Sequence, residues 1–415
     1  MTLSIRVASS PGEARIAVVD GDRLIDYALW RPGAPDGVGD VHVGRVVAAV
    51  PAMAGAFVAL ADAEGFLPDS EGGKGLTAGT ILPVRITRAA QAGKGPRLTA
   101  KLDEPVAGGS PRLLRRGPEP IGWLAERYPD AAIVVDDAGL AAAVQAELRR
   151  RVSIIAAVFD EDIAEAIDAL SRPVVELPGG ARLSIWPTPA LVAIDVDAGG
   201  ALGGTAGGIA GRRGLPDMPR GELAGGGAQG KEDARIPREG GYGSGGARSR
   251  HEALNRAILP ALAEQIRLRN LSGGIVVDLA GLAPRRRAVL APDFVRALAN
   301  DPLRPKFLGF TALGLAEIVR ARVHPPLHEL LSGPLAAGLT ALRAVIAAGG
   351  PDPRGRDPRR MPAIRAHPAV VAALQSDPAA LPDLARRTGR AVTLRSDPSL
   401  PHLTWLLETE HGQET

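Results

Sequence analysis

Two short apolar runs, 83 positions apart, each end on an aspartate. The first is Ala190-Leu-Val-Ala-Ile-Asp-Val-Asp-Ala-Gly-Gly200 and the second is Ser272-Gly-Gly-Ile-Val-Val-Asp-Leu-Ala-Gly-Leu282. Both read as buried strands. A strand alternates its side chains between faces, so Asp195 and Asp197 project in the same direction just ahead of a glycine-rich stretch. If the two strands are neighbours in one sheet, Asp195, Asp197 and Asp278 converge. Carboxylates gathered without basic partners repel one another unless a hard cation such as magnesium compensates. The plainer alternative is that an aspartate before glycines is a turn former.

With 415 residues, the chain is long enough for two to four domains, and at 45% hydrophobic residues it can bury a sizeable core. Its net charge is only +3, so any affinity for nucleic acid must come from local basic patches. Aromatic residues make up 3%, which limits base-stacking platforms to a few positions. There is no cysteine, which excludes disulfides and thiolate metal sites and suits a cytoplasmic location. The first residues lack the charged-then-apolar run of a signal peptide, and no apolar run reaches the ~18 residues of a membrane span.

Along the chain, residues 1–36 read as an N-terminal hairpin, with Asp20-Gly21 as its turn, followed by a Pro/Gly-rich linker. Residues 37–104 hold short strands at the spacing of a small closed barrel of the OB kind. Phe57 and Phe66 stand out there, beside Arg45, Arg85, Arg88, Lys94, Arg97 and Lys101. Aromatics among cations on such a barrel suit single-stranded nucleic acid, and barrel core with a solvated basic face is equally compatible. Residues 105–198 are mixed, with helical periodicity over Gly139–Arg150 and Ile163–Leu170. A hairpin then feeds the Asp195 strand.

Residues 199–250 contain 18 glycines in 52 positions and few large apolar side chains, a composition that predicts disorder. The segment reads as a tolerated loop insertion, with weak RNA tethering through its arginines as the alternative. Residues 251–345 form the second α/β region. Ser249-Arg-His-Glu252 resembles a capping box, Pro260 predicts a kink in the following helix, and Gly314–Arg322 is predicted to be a helix. Residues 346–415 read as a linker and a small helix–strand module.

Taken together, these blocks resemble the catalytic half of the ribonuclease E/G family. Ile194-Asp195-Val196-Asp197 is similar to the strand that carries the family's first metal-binding aspartate. Arg267-Leu-Arg-Asn-Leu-Ser-Gly-Gly-Ile-Val-Val-Asp278-Leu resembles its second signature. Gly44-Arg-Val, Ala56-Phe57-Val58, Gly65-Phe66-Leu67 and Lys94-Gly-Pro-Arg-Leu-Thr99 resemble its RNA-binding barrel, and Leu315–Arg322 its arginine-bearing helix. The chain departs from the pattern at Asp197, where the family has asparagine, at Gly281, where an aspartate is usual, and at Ala312. It also lacks the two-cysteine zinc link and has too short a middle segment for the usual sensor of the RNA 5′ end.

The resemblance implies an α+β multidomain fold, an OB-fold RNA-binding barrel beside a ribonuclease H-like and deoxyribonuclease-like catalytic region. It implies a metal-dependent endoribonuclease acting on single-stranded RNA, with Asp195 and Asp278 as catalytic metal ligands and magnesium, or manganese, as the cofactor. We add Asp197 to the metal site, because a carboxylate there would otherwise repel phosphate. Phe57 and Phe66 are expected to hold a nucleotide, Arg88 and Lys94 to contact the backbone, and Arg320 and Arg322 to clamp it. No zinc and no membrane partner are expected; subunit pairing, if any, uses another surface. A catalytically degenerate RNA-binding relative and a protein-binding scaffold are the competing readings.

Overall fold

The computed structural model describes residues 3–91, 93–102, 108–177, 180–199, 244–348 and 363–408. The expected disordered insertion therefore lies almost wholly outside the described residues, as does most of the 346–362 linker.

The chain opens with three antiparallel strands, β1 (Leu3–Ser10), β2 (Glu13–Asp20) and β3 (Arg23–Trp30). The expected hairpin is β2–β3, and β1 extends it. A barrel follows, made of β4 (Val41–Val50), β5 (Gly55–Ala59), β6 (Glu64–Pro68), β7 (Ile81–Arg88) and β8 (Arg97–Thr99). These five close on themselves in the order β4-β5-β6-β8-β7, and β9 (Arg112–Arg115) adds to the edge of β4. Val46, Val58, Leu67, Val84 and Leu98 fill the interior.

Helix α1 (Pro120–Arg127) then leads to β10 (Ala132–Val135), which joins β1 in parallel, and after α2 (Ala138–Ala143) comes β11 (Val152–Ile154) alongside β10. The helix expected over 139–150 is broken: Val144 turns extended at φ −59°, ψ 140°, and only a 3-10 stretch continues. Helix α3 (Glu161–Ala169) packs beneath the first sheet through Ile163 and Ile167.

The second sheet has the order β12-β13-β14-β15-β17-β16. Its strands are β12 (Val174–Glu176), β13 (Arg182–Pro187), β14 (Val192–Asp197), β15 (Gly273–Asp278), β16 (Lys306–Phe310) and β17 (Ala316–Arg320). Helix α4 (Ser244–Leu268) lies between β14 and β15 in sequence, so the two acid-bearing strands run parallel with a helical crossover. Ile258, Leu259, Leu262 and Ile266 of α4 pack on Ile194, Val196, Ile275 and Val277, covering one face of this sheet. The helix begins before Ser249, so that residue is inside it rather than a cap, and the helix runs through Pro260. Short α5 (Pro284–Arg287) and α6 (Ala291–Leu298) follow β15.

The helix expected over 314–322 is instead strand β17. Buried Ala316, Ile318 and Arg320 alternate with Glu317 and exposed Val319, a period of two, and pairing with both β15 and β16 satisfies its backbone. Helices α7 (Leu327–Leu330) and α8 (Gly333–Ala348) lead to the last unit. There β18 (Ala363–Ala366), α9 (Pro368–Ser376), α10 (Ala380–Thr388), β19 (Leu394–Ser396) and β20 (Trp405–Glu408) share a core with α8. The described architecture is thus mixed α+β with a closed five-stranded, OB-like barrel.

Candidate active site and nucleic-acid interface

Parallel pairing of β14 and β15 places Asp195 directly beside Asp278. Both side chains lie on the face that α4 leaves open. The alternation explains why: Ile194 and Val277 are buried beneath, while Asp195 and Asp278 are exposed. Asp195 makes no ion pair with any described residue. Asp278 accepts a hydrogen bond at 2.7 Å from Arg287 Nη1 through Oδ1.

Arg287, the last of three consecutive arginines, is the main residue that sequence reasoning did not single out. Its buried guanidinium also donates to the carbonyls of Leu282, Gly314 and Leu279 at 2.7, 2.8 and 3.0 Å. It holds Asp278 from below, so the acids do have one basic neighbour. Asn255 was also missed. Fully buried, it brackets the backbone of Ala280, donating to its carbonyl at 2.8 Å and accepting from its N–H at 3.1 Å. The turn after Asp278 is thereby fixed to α4. At Gly281, φ is +55° and a Cβ would run into the His251 ring. The aspartate usual there has no room in this chain.

Asp197 shares the open face but is turned elsewhere. It accepts from Arg182 Nη2 at 2.7 Å and from the Gly199 N–H at 2.9 Å. The Gly199 N–H and then Arg182 hold its carboxyl below the usual range. Three converging carboxylates therefore reduce to a pair. Among the described residues, no three His, Cys, Asp or Glu side chains gather as a metal-binding group.

On the barrel, Phe57 and Phe66 face each other across β5 and β6, with ring centroids 5.5 Å apart at 65°. Both are half-buried on the outer surface, while Ala56, Val58 and Leu67 point inward, so the phenylalanines are not barrel core. Arg97, paired with Phe66 on one side and Arg88 on the other, extends this surface as a row of cations. Partial burial and then repulsion by Arg97 and Arg322 lower the Arg88 pKa from its ordinary value. Arg322 thus belongs with the barrel cations, and its guanidinium lies over Gly273, where a Cβ would come within 2.5 Å. Lys94 is exposed in the neighbouring β7–β8 turn, next to a bridge with Gln91.

Arg320 does not join them. Its guanidinium is 3% exposed, pairs with Asp301 at 2.7 Å, and donates to Asn270 Oδ1 at 2.6 Å and to the Leu271 carbonyl at 3.1 Å. In a strand facing the core, it cannot reach a nucleic acid backbone. It ties β17 to the α4–β15 turn.

The barrel meets the segment after β17 at Val323, whose carbonyl accepts from the Ala89 N–H at 2.9 Å and from Gln91 Nε2 at 3.2 Å. This contact lies near Gly273, at the end of β15 opposite Asp278. Gly273, with Arg322 against it, lies five residue steps of ~3.3 Å, about 17 Å, along β15 from Asp278. A closed barrel with aromatic and cationic side chains outside is thus fixed beside a sheet that pairs two acids.

The family model described as Ribonuclease E/G family matches residues 244–323, which span α4, β15, β16 and β17. Ribonuclease E of a Nostoc species is 30% identical over 169 residues, covering 40% of this chain and 19% of that protein. Ribonuclease E of a Synechocystis species is 27% identical over 166 residues, covering 39% and 18%. Ribonuclease G of Escherichia coli K12 is 38% identical over 73 residues, covering 17% and 15%. Over these stretches the chain is similar to the ribonuclease E/G family, and it matches less than a fifth of the length of each of these relatives.

Proposed function

We propose that this protein is a metal-dependent endoribonuclease that cleaves single-stranded RNA in RNA processing or decay. The observation that carries the reading is the side-by-side register of Asp195 and Asp278 on an open sheet face. Their chemistry fits magnesium, which takes one or two carboxylates and completes its shell with water and substrate phosphate oxygens. Asp195 and Asp278 would hold the ion, with manganese as a substitute and no role for zinc. When bound, such an ion polarises a phosphate oxygen and lowers the pKa of a bound water. Asp197, already engaged by Arg182, would orient that side chain toward the substrate rather than ligate.

The chain's own residues supply the rest. Phe57 and Phe66 offer faces for bases, and Arg88, Arg97, Lys94 and Arg322 offer charge to phosphates between the barrel and the acids. Arg287 holds the Asp278 carboxylate in place. Family analogy adds 5′-phosphate and 3′-hydroxyl products, a cytoplasmic setting, and ribonuclease H-like and deoxyribonuclease-like assignments for the first and second sheets.

The test is cleavage of end-labelled single-stranded RNA with magnesium and with EDTA. Internal cuts should appear with magnesium and vanish with chelator. Asp195→Asn and Asp278→Asn should each reduce the rate by at least about a hundredfold, the scale of losing a group that stabilises transition-state charge. Full activity in the double variant would overturn the site, and RNA binding without any cleavage would overturn the activity.

A further inference from the structure

The open face of the second sheet carries a large aromatic side chain the reaction has not used. Trp186 is 56% exposed although it stands inside strand β13. It is one of four tryptophans in a chain with few aromatic residues. Its direction is fixed by its neighbours: Arg182, Ser184 and Trp186 share one side of β13, and Arg182 reaches Asp197 from there. Trp186 therefore lies on the acids' face.

Its position along that face follows from the strand register. One cross-strand row runs Ser184, Asp195, Asp278. The next row, one pleat closer to the barrel, runs Trp186, Ala193, Val276, Glu317. Ordinary sheet spacing puts Trp186 diagonally about 7–8 Å from Asp195. Ala193 and, one row further, Gly274 leave the floor beside the indole low, in the direction of Arg322 and the barrel cations.

We propose that Trp186 is a base-stacking subsite for single-stranded RNA, holding the nucleotide next to the scissile phosphate on its barrel side. This rests on the nuclease reading above. A base stacked on the indole leaves its sugar and phosphate over the Asp195–Asp278 row, while the following backbone continues toward Arg322. The site recognises the π-face of a base and carries no charge. It therefore adds affinity and sets the register of the cut without adding to the salt dependence of binding.

The experiment measures binding of short labelled single-stranded RNA to the full chain in EDTA, so that nothing is cut, across a range of salt. Trp186→Ala should weaken binding about tenfold, as loss of a stacking platform does, and Trp186→Phe should restore most of it. The slope of log affinity against log salt should stay at the wild-type value in both. Trp186→Gln, which keeps a polar chain at this exposed position, should behave as the alanine variant. Replacing single nucleotides with abasic ones should then cost the wild type about tenfold at one position and the Trp186→Ala variant nothing there.

Unchanged affinity in Trp186→Ala and Trp186→Gln, with Phe57→Ala still weakening binding, would overturn the subsite and leave the nuclease reading standing. A change of oligomeric state in Trp186→Ala without a change in RNA affinity would assign this face to a second copy and also overturn the subsite. Failure of the wild type to bind RNA would overturn both.

Discussion

Arg320 and Arg322, two positions apart, show how little a residue's type says about its work. Arg320 alternates into the core of β17, while Arg322, just past the strand end, reaches the cations of the barrel. Losing one partner of a buried pair leaves the other charge stranded, so Arg320→Met should destabilise the protein by about 3–5 kcal/mol. Urea unfolding measures this. Arg322→Ala should cost about 1 kcal/mol or less and lower the salt slope of RNA binding by about one. Exchange of those two outcomes would reverse the assignment. The signature around Arg267 makes the same point. Arg267 donates to the Ile25 carbonyl of β3, Arg269 to the carbonyls of Ala169 and Arg172, and Asn270 to those of His324 and Pro325. Asn270 also sits at φ +47°, a left-handed conformation asparagine tolerates well. These residues bracket the acid strand to its surroundings; they do not form the reactive surface.

At the scale of elements, the barrel was legible because each strand announced itself by alternation and by glycine or proline at its ends. The outward placement of Phe57 and Phe66 was not legible, since alternation alone leaves open which set faces the barrel axis. Closure decides it, because the smaller aliphatic set fills the interior. Gly55 belongs to the same arrangement: a Cβ there would meet Phe66 Cζ at 2.5 Å and the Leu67 carbonyl at 2.6 Å. Gly55→Ala should therefore cost about 1–3 kcal/mol of stability and push the Phe66 ring aside. Affinity for single-stranded RNA should then fall about tenfold, as expected for Phe66→Ala. Unchanged affinity alongside the lost stability would show that the ring does not meet RNA. Over Gly314–Arg322 the helical spacing was real but weak, and sheet pairing on both sides of β17 overrode it.

Across the whole molecule, the segment from Arg322 to Pro325 is where the parts meet. Val323 receives the barrel, and His324 stacks on Trp123 at 5.9 Å while its Nδ1 lies 2.6 Å from Asp36 in the linker between the first sheet and the barrel. A cavity of about 680 Å³ opens at this junction, away from the acids. Partial burial raises the Asp36 pKa, but the hydrogen bond and charge of His324 and the Val38 N–H lower it further, leaving it below its ordinary value. A depressed folded pKa adds stability that is complete above the unfolded value of about 4 and is lost as pH falls through the folded value. Asp36→Asn removes that dependence, so its stability between about pH 2 and 5 should fall less steeply than the wild type's. Parallel acid limbs in urea unfolding would show that the linker contact contributes nothing.

By itself, the sequence determined the local units: apolar runs that become strands, the aspartates at their ends, a barrel with two phenylalanines, and the family these blocks resemble. Those are properties of short spans, written in periodicity and turn residues. What only the tertiary structure decided is which side chains share a face and which are already taken. It put Asp195 against Asp278, gave Asp197 to Arg182, buried Arg320, raised Arg287 from a basic run to the support of an acid, and left Trp186 bare beside them. Pairing between strands far apart in the chain fixes all of these, and no local pattern records which strands will meet.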